Sequence, residues 1–143
     1  MGNCPSGDVL ACPWLQSYYI DTDYALPSLG ADSSSVTVSG FSSGSSMAGI
    51  MHVIYSETIK GSGNLAGTPY GFTTSKEKLD PLVNIRQAND FSNKGKIDNV
   101  SNLKDHPVYI LNFDRDDFVQ PVLQSRQAQK DFYQNYGANV KDA

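Results

Sequence analysis

The stretch Val36-Thr37-Val38-Ser39-Gly40-Phe41-Ser42-Ser43-Gly44-Ser45-Ser46-Met47-Ala48-Gly49 decides how the chain is read. Alternating β-branched residues run into Gly-x-Ser-x-Gly, and small residues with Met follow. Val36–Ser39 has the period-2 alternation of a strand that ends at a glycine. From residue 44 to 57 the spacing turns helical: Met47, Ile50, Met51 and Ile54 recur at i, i+3, i+4 and i+7. Ser42 therefore stands where a strand becomes a helix. A tight turn there forces its central residue into a sparsely populated backbone conformation and pushes the hydroxyl clear of the sheet. On this reading Gly40 and Gly44 flank Ser42 because side chains at those positions would clash where strand and helix meet. The N–H of Ser43, at the start of the helix, can donate to an oxyanion forming beside Ser42.

Outward from this turn, Lys60–Gly67 (KGSGNLAG) is small and weakly apolar and fits a buried strand. Residues 68–104 are polar and mixed, with Pro69 and Pro81, and predict turns and one or two short helices. Pro107–Phe113 (PVYILNF) is the strongest strand of the chain. Pro121–Tyr136 has an amphipathic helical pattern through Val122, Leu123, Ala128, Phe132, Tyr133 and Tyr136, and Gly137 is its stop. Strand, helix, strand, mixed segment, strand, helix implies an α/β fold with a parallel sheet flanked by helices. Three strands are countable, few for such a sheet.

A serine nucleophile needs a base, and the base needs a carboxylate to orient it. Asp114, Asp116 and Asp117 directly follow the strongest strand, where such an acid lies in these folds. Residue type alone does not choose among them, and Asp117 equally suits a helix cap. The histidines are His52 and His106. His52 lies ten residues into the helix behind the turn, about 15 Å along its axis, whereas a Ser–His hydrogen bond spans roughly 3 Å. His106 precedes the strand whose far end carries Asp116. Neither is placed to serve Ser42.

The global numbers fit this frame. With 143 residues, 39% hydrophobic and 18% charged, the chain is globular and holds one domain or part of one. Its net charge of −4, with no basic cluster, argues against a nucleic-acid partner. No apolar run reaches the length of a membrane span, and no cofactor or metal motif is present. Residues 1–30 read as an irregular N-terminal segment, broken by Pro5, Pro13 and Pro27. Trp14, Tyr18, Tyr19 and Tyr24 there form either a flap on the core or an aromatic surface that grips a substrate. Cys4 and Cys12 close a small loop or stay free. Met1-Gly2-Asn3-Cys4-Pro5-Ser6 matches a loose lipidation pattern, so a lipid-anchored or cytoplasmic location is an alternative to export.

Three stretches carry a family resemblance: GFSSGSSMA (residues 40–48), MHVIYSETIKGSGNLAGTPYG (51–71) and NVSNLKDHPVYILNFDRDDFVQP (99–121). Together, from about Leu26 to Tyr136, they resemble the extracellular poly(3-hydroxybutyrate) depolymerases and related esterases. That family's Gly-Leu-Ser-Ser-Gly-x-x-Met-Ala stands here as Gly40-Phe41-Ser42-Ser43-Gly44-Ser45-Ser46-Met47-Ala48. Its Ala-Gly-Gly-Pro-Tyr stands as Ala66-Gly67-Thr68-Pro69-Tyr70. Its Gly-Thr-x-Asp-x-x-Val aligns with Phe113-Asp114-Arg115-Asp116-Asp117-Phe118-Val119, which makes Asp116 the triad acid.

The resemblance implies an α/β-hydrolase fold, circularly permuted in some members, with residues 31–143 as its N-terminal portion. It implies an extracellular serine esterase acting on a polyester or small ester, with Ser42 and Asp116 catalytic and the Ser43 N–H in the oxyanion site. The family's catalytic histidine lies downstream of the acid. Its absence here leads to the expectation of a partial domain, inactive by itself. The other class of function consistent with the sequence is a non-catalytic module, a pseudoenzyme or binding fragment of the same fold.

Overall fold

The computed structural model describes residues 29–71, 80–113 and 122–143, with backbone alone at 122–124. The chain divides into two units, Met1–Ala31 and Asp32–Ala143, and every element below belongs to the second. Cys4, Cys12, Trp14, Tyr18, Tyr19 and Tyr24, together with Asp114, Asp116 and Asp117, lie outside the described residues.

Four parallel strands form one sheet in sequence order: β1 (Val38–Phe41), β2 (Ser62–Leu65), β3 (Pro107–Leu111) and β4 (Asn139–Asp142). Three helices connect them: α1 (Ser43–Ile54), α2 (Pro81–Asn93) and α3 (Val122–Asn135). The α/β class and the parallel pairing expected from the sequence are both found. When strand order follows chain order, right-handed crossovers carry successive helices to the same face of the sheet. Accordingly α1 packs on β1 and β2, α3 packs on β3 and β4, and α2 packs against α3. Ser62, Asn64, Val108 and Ile110 are buried beneath the helices, while Tyr109 and Phe41 on the other face are exposed.

Three expectations differ from what is found. A fourth strand, Asn139–Asp142, follows α3. Its sequence, NVKD, carries one β-former among polar residues, because it is a sheet edge held mainly by its pairing to β3. Residues 81–93 form a helix of 13 residues, longer than the short helices expected within 68–104. Asp80 caps α2 by accepting from the Leu82 N–H at 3.0 Å, and Pro81 starts the helix, a position where its missing N–H costs nothing.

The third difference is the face that α1 buries. Met47 and Met51 are exposed, and Ser45, Ala48, Gly49, His52 and Val53 are buried instead. The first turns of the helix run so close to the sheet that only the small side chains of Ser45, Ala48 and Gly49 fit along that part of the contact. Side-chain size therefore outranks hydrophobicity in setting its rotation. Ile50 and Ile54 are half-buried at the margin of the core.

The core gathers around Phe132, which is fully buried. Its ring lies 5.4 Å from those of Tyr70 and Tyr133 and 5.3 Å from that of Tyr136, centroid to centroid. Tyr136 also donates from its hydroxyl to the Ile85 carbonyl at 3.1 Å, joining α3 to α2. Gly137 ends α3 with φ +76°, and the Ala138 N–H returns to the Tyr133 carbonyl at 3.2 Å, as the sequence predicts for that glycine. Replacing Phe132 by Ala removes the ring that α2, α3 and the Tyr70 loop share. Urea unfolding should show a loss of about 3–5 kcal/mol, with the slope unchanged.

Candidate active site

Ser42 occupies the one-residue turn between β1 and α1, with φ 55° and ψ −122°. This left-handed region is disfavoured for a residue with a Cβ, by on the order of 1–3 kcal/mol. Several backbone bonds hold it there. The Ser42 N–H donates to the Leu65 carbonyl at 2.9 Å, carrying the β1–β2 ladder past the end of the strand. The Ser42 carbonyl accepts from the N–H groups of Ser45 and Ser46, at 3.0 and 3.2 Å.

A serine at a helix N-cap ordinarily spends its hydroxyl on the helix. Ser42 makes no such bond, and the residue is exposed. Ser43 and Gly44 open the helix, so their N–H groups have no partner within it and point out beside Ser42 with the positive end of the helix dipole.

The glycines on either side have different roles. A Cβ on Gly40 would stand 2.2 Å from the Gly44 carbonyl oxygen and 2.7 Å from the Ser45 nitrogen. Strand and helix backbones are therefore in contact at Gly40, as expected. At Gly44 the expectation of a clash is corrected: no described atom lies within 4 Å of a Cβ added there. Gly44 supplies the backbone that Gly40 must avoid, and its own side-chain position is open.

The loop after β2 completes the surroundings. Ala66 has φ 51°, and Gly67 packs so tightly on α1 that a Cβ would meet the Ser45 hydroxyl at 2.2 Å. The Gly67 carbonyl accepts from Ser125 Oγ at 2.7 Å, Gln129 Nε2 at 3.1 Å and Asn112 Nδ2 at 3.5 Å. Ser46 Oγ and Thr68 Oγ1 are 2.8 Å apart, and the Thr68 N–H donates to Ser46 Oγ at 3.1 Å. One short loop thus ties the first turn of α1 to β3 and α3. Reading the residues alone misses Ser125 and Gln129, which look like ordinary polar positions on an amphipathic helix.

In a parallel sheet all strands end at the same edge. Ser42 follows β1 there, and Asn112 and Phe113 follow β3 there, one strand removed, or about 10 Å across. The residue after Phe113 begins the segment that contains Asp116. His106 precedes β3 at the opposite edge. The ring nitrogens of His52 face Tyr133 Oη at 3.3 Å and His106 Nδ1 at 3.2 Å, so the two histidines pair with each other. Among the described residues no group of three or more His, Cys, Asp or Glu side chains could hold a metal ion, and no helix is long and apolar enough to cross a membrane.

With this geometry in place, the chain can be compared with known proteins. It is 32% identical over 130 residues to a poly(3-hydroxybutyrate) depolymerase of Delftia acidovorans. That similarity covers 80% of this chain and 26% of the relative, so the chain spans about a quarter of the curated protein it matches. No family profile matches the chain. No solved structure matches it either.

The two glycines can be told apart by experiment. Gly40→Ala should lose at least about 2–3 kcal/mol of stability or fail to fold, because the new methyl has only backbone to displace. Gly44→Ala should be neutral or gain up to about 1 kcal/mol, as Ala replaces Gly within a helix. Thermal unfolding of both variants beside the parent chain measures the contrast.

Proposed function

We propose that these residues form part of a serine hydrolase that cleaves the ester bonds of a hydroxyalkanoate polyester such as poly(3-hydroxybutyrate). One observation carries the proposal: an exposed serine, held in a disfavoured conformation at a strand-to-helix turn, makes no cap bond to its helix and stands beside N–H groups that have no partner within that helix. The substrate class comes from the similarity to the depolymerase, and an extracellular location from the resemblance to the extracellular members of that family.

In this scheme Ser42 Oγ attacks the ester carbonyl carbon and passes its proton to a histidine contributed from outside these 143 residues. The carbonyl oxygen becomes an oxyanion, and the Ser43 N–H, strengthened by the helix dipole, donates to it. Collapse of the tetrahedral intermediate releases the alcohol end of the polymer, protonated by the same histidine. Water then attacks the acyl-serine, and its hydrolysis frees a carboxylate and restores Ser42. Asp116, whose segment follows β3 in the sequence, orients the histidine and stabilises its charged form. His52 and His106 take no part, since each imidazole is committed to the other away from that edge.

The test uses the natural polypeptide that contains these residues, assayed on p-nitrophenyl butyrate and on poly(3-hydroxybutyrate) granules. Ser42→Ala and Asp116→Asn should each lower kcat by at least about a thousandfold with the fold intact. Asp114→Asn should leave most of the activity. An inert parent protein overturns the proposal and favours a non-catalytic role, and activity that survives Ser42→Ala overturns Ser42 as the nucleophile.

A further inference from the structure

The interior beneath α1 holds a chain of hydrogen-bonding groups that ester hydrolysis does not use. His52, fully buried, presents Nδ1 to Tyr133 Oη at 3.3 Å and Nε2 to His106 Nδ1 at 3.2 Å. The three rings are stacked, with centroids 5.4 Å apart for His52–His106 and 5.5 Å for His52–Tyr133. Tyr133 is itself buried, and its hydroxyl lies 3.5 Å from the Gly49 carbonyl. The chain therefore joins three elements: the C-terminal half of α1, the last turn of α3 and the turn Asp105–His106 that leads into β3. That turn is fixed by its own bonds. The Asp105 N–H donates to the Gly137 carbonyl and Asn139 Nδ2 donates to the Asp105 carbonyl, both at 3.0 Å.

Counting protons shows what such a chain can tolerate. A hydrogen bond between two imidazoles needs one N–H and one lone pair along the shared axis. The neutral pair satisfies this with either ring as donor. A first added proton is also accommodated, because it can sit on the outward Nε2 of half-buried His106 while Nδ1 keeps donating to His52. A second proton puts N–H on both facing nitrogens at 3.2 Å, and the contact becomes repulsive.

We propose that the His52–His106–Tyr133 chain is an acid-released pin. It holds the C-terminal half of α1 to α3 and to the start of β3 while His52 is neutral, and lets go when both imidazoles are charged.

The surroundings favour this order of events. Burial, and then the neighbouring His106, pushes His52 from the ordinary 6.5 down to about 4. His106 is held down mainly by burial and by the Lys60 ammonium, while the Asp105 carboxylate acts in the opposite sense. From α3 the facing group is the Tyr133 phenol, which burial pushes upward and so keeps protonated, with Ser62 and Asn64 of β2 beside it. Among the described residues no carboxylate faces His52 from α1, β2 or α3, so a charge on His52 would go uncompensated.

The sign follows from linkage. The folded chain holds His52 at about 4 and the unfolded chain at 6.5, so between these limits the unfolded state binds more protons. Stability is complete above the upper limit, falls as pH drops through the window, and levels off below it. The pin is independent of the role of Ser42.

Urea unfolding of the full chain between pH 7.0 and 4.5, beside His52→Gln, tests the proposal. The unfolding constant of the parent should rise about twentyfold more between pH 7 and pH 5 than that of His52→Gln. In the native parent, proton NMR should show the His52 imidazole still uncharged at pH 5. Equal pH dependence in the two proteins, or two imidazoles both titrating near pH 6.5, overturns the pin. Should His52→Gln fail to fold, the NMR titration of the parent decides alone.

Discussion

Backbone contact between Gly40 and the first turn of α1 is the constraint on which the rest of the structure depends. It brings a strand and a helix together with no side chain between them, and the consequences spread along both elements. The connecting residue has no room for a gentler path and takes φ 55° at Ser42. The helix then lies so near the sheet that Ser45, Ala48 and Gly49 form its inner face, while Met47 and Met51 are turned outward. The usual rule that large apolar residues mark the buried stripe gives way here to available volume.

Close approach also has a polar cost, and the loop after β2 meets much of it. Gly67 takes three side-chain donors on one carbonyl, two of them from α3. A buried amide and a buried hydroxyl are expensive unless paired, so Ser125 and Gln129 fix where α3 sits. Four buried oxygens stay unpaired among the described protein groups: Ser45 Oγ, Ser62 Oγ, Asn64 Oδ1 and Asn112 Oδ1. They cluster where α1, β2 and β3 meet, a layer more polar than an ordinary core. The Phe132 aromatic cluster lies beside this layer and supplies the apolar burial that it lacks.

How much of this was legible in the sequence follows from range. Local signals read correctly: the strand-to-helix turn at Ser42, the Gly137 stop, the Pro107 strand and the parallel α/β order. Asp80-Pro81 is a strong helix start within the polar stretch for which short helices are expected. β4 was missed because an edge strand of four residues is made by its partner rather than by its own composition. Hydrophobic spacing does not fix the rotation of α1, because it ignores side-chain size, and a glycine such as Gly44 does not by itself mean crowding. The Gly67 knot and the histidine pair join residues separated by 45 to 62 and by 54 positions, and no local pattern announces them. At the candidate site, the strand-to-helix turn that carries Ser42 and Ser43 is legible in the sequence. The case for Asp116 rests on where β3 ends and on the family resemblance.

Ser42 distinguishes a turn that merely connects from one that presents a hydroxyl. If connection were all that was needed, glycine at this position would relieve a conformational cost on the order of 1–3 kcal/mol. A serine kept for capping would bond the third N–H of the helix. Instead the Ser45 N–H goes to the Ser42 carbonyl, and the side chain is left out of the helix altogether. Strain is thus retained and the stabilising use of the hydroxyl is forgone in the same residue. A connecting or capping role explains neither, whereas the proposed nucleophile would use both: a fixed backbone to aim the oxygen, and an oxygen not spent on the helix. On that proposal the N–H groups of Ser43 and Gly44, without partners within the helix, extend the same logic.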